Sequence, residues 1–288
     1  MPELPEVETL RIGLTNYLVG HKIMDVEILH PKVFYGDEKS IIGAKVTDIK
    51  RVGKGLIIEL NNDYSLAIHI KLTGQLIYRD PKTAGVEVSK VRVGTLPNNF
   101  THLIFHLNKN AKLYYNDQRR FGWVKVIRKD EVMKLPFFKD MGPEPPVAKA
   151  MGGRAIFNLE KFEEILSKSK TVIKPLLMDQ KKIGGIGNIY ANDGLFLARI
   201  DPRRKANSLS PTQIKKLYES LLTVLKKGLD SGGASELTFV NVLGQDGGYQ
   251  KHSLAYGKKG KDCPNCGEKI QFIKISGRGT YFCKNCQK

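Results

Sequence analysis

The chain contains no apolar run of 18 residues, so nothing in it reads as a membrane-spanning helix. It has a single tryptophan and only four cysteines, all within the last 26 of its 288 residues. Cysteines so few and so clustered exclude a disulfide-dense secreted scaffold and fit a reducing cytosol. The start MPELPEVETL lacks the basic opening and apolar stretch of a secretory signal, so a cytoplasmic location is expected. The chain is also poor in acid. It has 29 Asp and Glu against 47 Lys and Arg, a formal net charge of +18. That excess points to a polyanionic partner. A membrane surface is the rival, but no basic amphipathic helix or lipidation signal supports it. A hydrophobic content of 41% suffices for ordinary cores, and the length suggests two domains.

The four cysteines form two pairs, Cys263-Pro-Asn-Cys266 and Cys283-Lys-Asn-Cys286, sixteen residues apart. Each pair places two sulfurs on one tight knuckle, and the intervening stretch can fold as a hairpin that joins the knuckles. This spacing predicts one structural Zn²⁺ held by Cys263, Cys266, Cys283 and Cys286 in a zinc ribbon. Four thiolates close the tetrahedral shell and leave no position for substrate. Two disulfides or a redox motif are the alternatives; no cysteine is left over and nothing suggests secretion, so zinc is favoured.

Periodicity predicts a helix over residues 6–19, with Val7, Leu10, Leu14 and Tyr17 or Leu18 on one face. Roughly residues 22–128 then read as short strands, near 23–28, 45–50, 56–60, 66–72, 101–107, 111–115 and 123–128. Strict alternation from Leu66 to Leu72 puts Ile68 and Ile70 on the apolar face and His69 with Lys71 on the other, a solvated face by that pattern alone. A stretch rich in Pro, Gly and Lys follows, and then helices: 157–167, 174–181, 188–198 and 210–229, the last with Ser210 as N-cap and Pro211 in the first turn. Residues 231–250 are Gly-rich without a steady period and read as a mobile loop of functional length. The expected fold class is α+β: an N-terminal β-sandwich with flanking helices, then a helical domain ending in the zinc ribbon. Expected boundaries are 1–130, a linker at 131–154, a helical domain at 155–230, the loop at 231–250 and the ribbon at 251–288.

Pro2-Glu3 is the chemical signal at the other end. Removal of Met1 would free the secondary amine of Pro2. An α-amino group titrates near ~8, so part of it is neutral at pH 7 and can attack an electrophilic carbon to form an iminium. Glu3 is an adjacent acid/base, and Glu6 sits in the first helical turn, where the dipole favours its ionised form. Alone this signal is weak, since a Pro-rich start before an acidic turn is usually just a capped helix.

The start MPELPEVETLR resembles that of the formamidopyrimidine-DNA glycosylase family of bacterial base-excision repair. Four more segments match in order. Arg51-Val-Gly-Lys54 is similar to the family's basic turn. Asn116-Asp-Gln-Arg119-Arg120-Phe121-Gly122 resembles its Asp-Pro-Arg-Arg-Phe-Gly loop. Gly185-Ile-Gly-Asn188-Ile-Tyr190 resembles the turn of its helix-two-turn-helix element, and the end from Arg278 resembles its zinc ribbon. The resemblance covers essentially the whole chain. It implies a monomeric enzyme that acts on damaged double-stranded DNA in the bacterial cytoplasm. Pro2 would be the nucleophile, Glu3 the general acid/base and Glu6 its support. Lys54 would contact the DNA backbone and assist catalysis. Leu72, Arg119 and Phe121 would fill the hole left by an extruded nucleotide. His69, Lys71, Asn188 and Arg278 would contact phosphates, and residues 231–250 would form a lesion-recognition loop. Two departures stand out: Leu72 replaces the family's Met, and Gln118 replaces its Pro, which puts that loop's rigidity in question.

Each role has a plainer counterpart. Asn188 also suits a helix cap, Arg278 a surface charge and Phe121 a core position, though the flanking Arg119, Arg120 and Gly122 argue for an exposed loop tip. His102, His106 and His252 lack metal-ligand spacing and read as structural. The competing functions are a sister enzyme of endonuclease VIII type, which prefers oxidised pyrimidines, and a catalytically silent damaged-DNA-binding protein. Leu4, where the sister class has Gly, favours the function the resemblance implies, a bifunctional DNA glycosylase and AP lyase for oxidised purines, and intact Pro2 and Glu3 argue against a silent protein.

Overall fold

The computed structural model describes residues 2–147 and 157–288. The chain divides into two compact units. One runs to Lys139 and includes Ser231–Gln250; the other comprises Asp140–Asp230 and Lys251–Lys288. The part of the expected linker at 148–154, and Met1, lie outside the described residues.

The first unit opens with helix α1 (Leu4–Leu18), capped by Glu3 in extended conformation and carrying Pro5 in its first turn. Val7, Leu10, Leu14 and Leu18 recur at helical spacing and are buried in the unit's main core. Each contributes about 2 kcal/mol of gross burial energy. Strands follow: β1 (Ile23–Ile28), β2 (Phe34–Tyr35), β3 (Val46–Val52), β4 (Gly55–Leu60), β5 (Tyr64–His69), β6 (Gly74–Arg79), β7 (Thr101–Leu107), β8 (Lys112–Asp117) and β9 (Trp123–Arg128). They form a four-stranded sheet in the order β1-β7-β8-β6 and a five-stranded sheet in the order β2-β9-β5-β4-β3. Ile58, Leu66 and Ile68 of one sheet share a single core with Leu76, Phe105 and Tyr115 of the other, as a sandwich requires. Two short helices, α2 (Lys129–Val132) and α3 (Pro136–Lys139), complete this stretch, and Phe138 is fully buried.

Two expectations fail here, for local reasons. The strand expected to reach Leu72 stops at His69. Lys71 adopts a left-handed conformation (φ 47°), and the Gly74 N–H bonds back to the Ile70 carbonyl at 2.9 Å. A Cβ on Gly74 would lie 2.5 Å from that carbonyl oxygen, so the turn closes where glycine permits the approach. Alternation also placed His69 on a solvated face, yet it is 4% exposed. The polar side of β5 is covered by aromatic rings, which hydrophobic periodicity does not register.

Residues 231–250 are not the free loop their glycines suggested. Phe239, Val240 and Val242 are buried, the Tyr78 N–H bonds the Val242 carbonyl at 2.8 Å, and the Gln75 amide donates to the Thr238 carbonyl at 2.6 Å. Aperiodic sequence here reflects pinning by distant partners rather than freedom.

The second unit contains α4 (Leu159–Ser167), α5 (Ile173–Leu177), α6 (Asn188–Ala198) and α7 (Pro211–Asp230), followed by the hairpin β10 (Gln271–Ile275) and β11 (Arg278–Phe282). Asn158 caps α4 through the Lys161 N–H, and Ser210 exchanges bonds with Gln213 at the start of α7. Gln180 organises the turns between α5 and α6. Its amide donates to the Met178 and Ile186 carbonyls at 2.8 Å each, and its oxygen accepts from the Gly185 N–H at 3.0 Å. Among the described residues no helix is long and apolar enough to cross a membrane.

Candidate active site

Pro2 and Glu3 are both buried, and Glu3 is 2% exposed. Glu3 and Glu6 form a reciprocal capping box, the N-terminal motif in which each carboxylate serves the other's backbone N–H. The Glu3 N–H donates to Glu6 Oε2 at 2.7 Å. The other oxygen, Oε1, accepts from the Ala234 N–H at 2.8 Å. Glu6 thus ties the backbone beside Pro2 to the 231–250 segment. Gly233 (φ 85°) permits this approach: a Cβ there would lie 3.0 Å from Glu6 Cγ and 2.8 Å from the Phe239 ring.

A second chain of contacts fixes Lys54. Glu8 on α1 is buried and pairs with Arg51 at 2.9 Å, and with Arg11 at 2.7 Å. Arg51, fully buried, also donates to the Gly53 carbonyl at 2.9 Å. The β3–β4 turn, with Gly53 at φ 59°, is therefore held against α1, and the Lys54 it carries is only 4% exposed. Sequence reasoning assigned no role to Glu8 or to the Arg51 side chain; two charges on apolar-patterned elements were the available signal.

His69 lies edge-on to Phe137 at 4.3 Å and 6.0 Å from Trp123. Burial, with the nearby charges of Lys71 and Lys54, lowers its pKa to about 3. Its Nδ1 accepts from the Lys71 N–H at 2.8 Å, which leaves the proton on Nε2. His69 is a neutral donor that also shapes the turn bearing Lys71 and Leu72. Both of those residues are half-buried.

Asp117 organises the next loop. Its Oδ1 accepts from the Thr73 hydroxyl and, at 3.2 Å, from the Arg119 N–H; Oδ2 accepts from the Gly122 N–H at 2.8 Å. The Arg119 N–H also reaches Thr73 Oγ1 at 3.0 Å. One buried carboxylate thereby grips both ends of 118–121 and the turn after Leu72, so Gln118 in place of proline does not leave the loop unsupported. Gly122 cannot carry a side chain, since a Cβ would fall 2.8 Å from the His69 carbonyl oxygen. Phe121 is 51% exposed at the tip, and the Arg119 guanidinium lies 4.6 Å over its ring. The expectation of an exposed tip holds. His102 is structural in geometry, its Nε2 bonded to the Asp117 carbonyl at 2.7 Å.

In the second unit, Asn188 opens α6 behind Gly187 and accepts from the Asn192 amide through its carbonyl at 2.6 Å. Asn192 Oδ1 in turn accepts from the Tyr281 N–H at 2.7 Å. Lys174, 1% exposed, donates to the Gly279 carbonyl at 2.7 Å and to Thr280 Oγ1 at 2.8 Å. These bonds fasten β11 to α5 and α6 and leave Arg278 exposed at the hairpin turn. It lines a cavity of about 200 Å³ with Lys174, Met178, Asp179 and Ser276.

The four cysteines converge, with all sulfurs within 4.8 Å of one another. Cys263 and Cys286 are 3.8 Å apart, Cys266 and Cys283 3.5 Å. A disulfide needs about 2.05 Å, whereas a tetrahedral thiolate shell with a metal–sulfur bond of about 2.3 Å spaces sulfurs by about 3.8 Å. The knuckles are built to match: Gly267 N–H bonds the Cys263 carbonyl at 2.9 Å, and Gln287 N–H the Cys283 carbonyl at 3.0 Å. The residues fit a four-sulfur metal site.

Comparison with known proteins agrees with this geometry. Residues 1–124 match the family model described as formamidopyrimidine-DNA glycosylase N-terminal domain, 141–239 the formamidopyrimidine-DNA glycosylase H2TH domain, and 260–288 the zinc finger found in FPG and IleRS. The chain is 38% identical over 296 residues to a formamidopyrimidine-DNA glycosylase of Pelotomaculum thermopropionicum, covering all of this chain and 99% of that protein. It is 38% identical over 293 residues to that of Streptococcus mutans, with both chains covered completely. Among solved structures, Lactococcus lactis Fpg in complex with abasic-site DNA superposes with a TM-score of 0.85 at 34% identity, over 99% of each chain. A variant of the same protein bound to Fapy-dG-containing DNA gives 0.86 over the full length of both. With its sandwich, helical turn element and four-cysteine ribbon in order along the whole sequence, the chain belongs to the formamidopyrimidine-DNA glycosylase family.

Proposed function

We propose that this DNA glycosylase is bifunctional: it excises oxidised purines, chiefly 8-oxoguanine and formamidopyrimidines, from duplex DNA and then cuts the strand as an AP lyase. The single observation that carries the reading is the shared Glu6 carboxylate, which holds the Glu3 backbone on one oxygen and the 231–250 segment on the other. Such an arrangement suits a buried nucleophile whose orientation must be fixed before reaction.

After Met1 is removed, the Pro2 nitrogen attacks C1′ of the extruded nucleotide. The bond to the base breaks, and the base leaves with its electron pair and takes up the proton that the Pro2 nitrogen sheds. Glu3 protonates the sugar ring oxygen as the C1′–O bond opens, giving an iminium. Loss of a C2′ proton then expels the 3′ phosphate by β-elimination, and δ-elimination expels the 5′ phosphate. A one-nucleotide gap with phosphates at both ends remains. Lys54 supports the strand beside the reacting sugar. Leu72, Arg119 and Phe121 fill the vacated stack, with the Arg119 fork free to bond the orphaned base. His69, Lys71, Asn188 and Arg278 hold phosphates. In this reading His69 does so as a neutral donor and Asn188 at a helix N-terminus, where anions are favoured. One Zn²⁺ on Cys263, Cys266, Cys283 and Cys286 stiffens the ribbon that carries Arg278. The protein acts as a monomer in the bacterial cytoplasm, with 231–250 as the lesion-recognition loop.

A second reading, excision of oxidised pyrimidines, has one observation behind it: L. lactis Fpg has also been solved with oxidised-pyrimidine DNA. The test is incubation with a duplex bearing 8-oxoguanine opposite cytosine, with analysis of the released base and both strand ends. Release of the base with phosphate on each side supports the proposal. Activity confined to a thymine glycol duplex would move the assignment to the pyrimidine class. Glu3→Gln should bind the lesion duplex yet release no base, and normal turnover would remove its assigned role.

A further inference from the structure

Arg92 lies in the long connection between β6 and β7, outside every element that family resemblance singled out. Its guanidinium grips the 231–250 segment at three places. Nε donates to the Leu237 carbonyl at 3.1 Å, one terminal nitrogen donates to the Ser235 carbonyl at 2.7 Å, and the other pairs with Asp246 at 2.6 Å. The two carbonyls belong to the outgoing limb of the segment and Asp246 to the returning limb. The backbone around Arg92 faces the same way: its own carbonyl accepts from the Gln75 amide that also holds the Thr238 carbonyl. Ser89 N–H bonds the Gly244 carbonyl at 2.8 Å.

The opposite anchor of the segment is the Ala234 N–H on Glu6. Between the Ser235 and Leu237 carbonyls held by Arg92 the chain turns outward, and Leu237 is left 57% exposed. A planar guanidinium suits this task because its donors are spread over three nitrogens in a fixed fork, so each acceptor meets its own nitrogen, whereas a lysine would have to gather all three acceptors around one ammonium. An exposed apolar tip on an otherwise tied-down loop beside the N-terminal residues is a contact surface held in readiness.

We infer that Arg92 is a positioning residue for base recognition: by clamping both limbs of 231–250 it fixes the conformation in which that segment meets an extruded base. The inference rests on the proposed role of the segment as a lesion-recognition loop. It separates two steps of the reaction. Excision of a damaged base needs the loop, whereas incision at an abasic site offers the loop no base to hold.

The test compares wild type, Arg92→Gln, Arg92→Lys and Asp246→Asn on 8-oxoguanine duplex and on abasic-site duplex, with hydrogen exchange of 231–250 measured alongside. Arg92→Gln should lower kcat/KM for base excision by about tenfold or more, since charge-assisted bonds to both limbs are lost. Abasic-site incision should stay within about twofold, and exchange in 231–250 should rise. Arg92→Lys and Asp246→Asn should give smaller losses in the same direction. An equal fall on both substrates would make Arg92 merely structural and overturn the inference, as would unchanged excision or unchanged exchange. A wild type inert on both duplexes would instead refute the functional reading, and the specificity role with it.

Discussion

Asp117 offers the sharpest test of how the insertion loop is built. It is fully buried, and its carboxylate accepts from the Thr73 hydroxyl and from the N–H groups of Arg119 and Gly122. Asp117→Ala removes all three bonds. Bonds to a charged acceptor are worth about 1.5–3 kcal/mol each, but they are not additive, and the Arg119 N–H keeps Thr73 Oγ1 as a partner. A net loss of about 3–5 kcal/mol is expected for the alanine variant, mostly from the stranded Gly122 N–H and Thr73 hydroxyl. Asp117→Asn keeps an acceptor for Thr73 and Arg119 but turns an NH₂ group toward the Gly122 N–H, so about 1–3 kcal/mol is expected. If Arg119 and Phe121 fill the vacated stack, that loosening appears as a fall in excision of about tenfold for asparagine and more for alanine, because 1.4 kcal/mol is a factor of ten. Single-turnover excision from an 8-oxoguanine duplex, read beside chemical denaturation, gives both quantities. An asparagine variant with wild-type stability and excision would refute this account of the loop.

Cys266→Ser opens the four-sulfur shell; bound metal should be lost and DNA affinity should fall by about tenfold or more, while unchanged affinity would show the ribbon to be dispensable. Arg278→Ala should make the salt dependence of DNA binding shallower by about one unit, and an unchanged slope would remove Arg278 from the phosphate contacts. His69 carries a pH signature. Its pKa falls from 6.5 to about 3 on folding, so below 6.5 the unfolded chain binds a proton that the folded one refuses. Stability is therefore lost as pH drops through that window, by about 1.4 kcal/mol at about pH 5.5 from this group alone. Denaturation of wild type and His69→Gln at about pH 7.5 and 5.5 should show a steeper loss for wild type; parallel losses would contradict a buried neutral imidazole.

What was legible in the sequence follows from how local each signal is. The cysteine site could be read because thiolate spacing alone constrains a four-sulfur shell. Helix α1 could be read because Val7, Leu10, Leu14 and Leu18 follow the helical period, but the capping box of Glu3 and Glu6, which starts the helix at Leu4, emerged only from the structure. The end of β5 could not: nothing in the alternation through Leu72 reports that Lys71 turns left-handed or that Phe137 covers His69 from 68 residues away. The pinning of 231–250 was invisible for the same reason. Its partners Glu6, Gln75 and Arg92 lie 143 to 228 positions distant. Asp117 stood inside a recognised motif, but its grip on Thr73 and Gly122 appears only once β6 and β8 are paired.

The central claim is covalent chemistry at the N-terminus. The direct measurement is borohydride trapping on a duplex with one 8-oxoguanine opposite cytosine, followed by mapping of the adduct by peptide mass. A reduced adduct on Pro2 of a chain lacking Met1 is the expected result. Tight binding with no adduct, or an adduct on a lysine while Pro2 stays free, would contradict it.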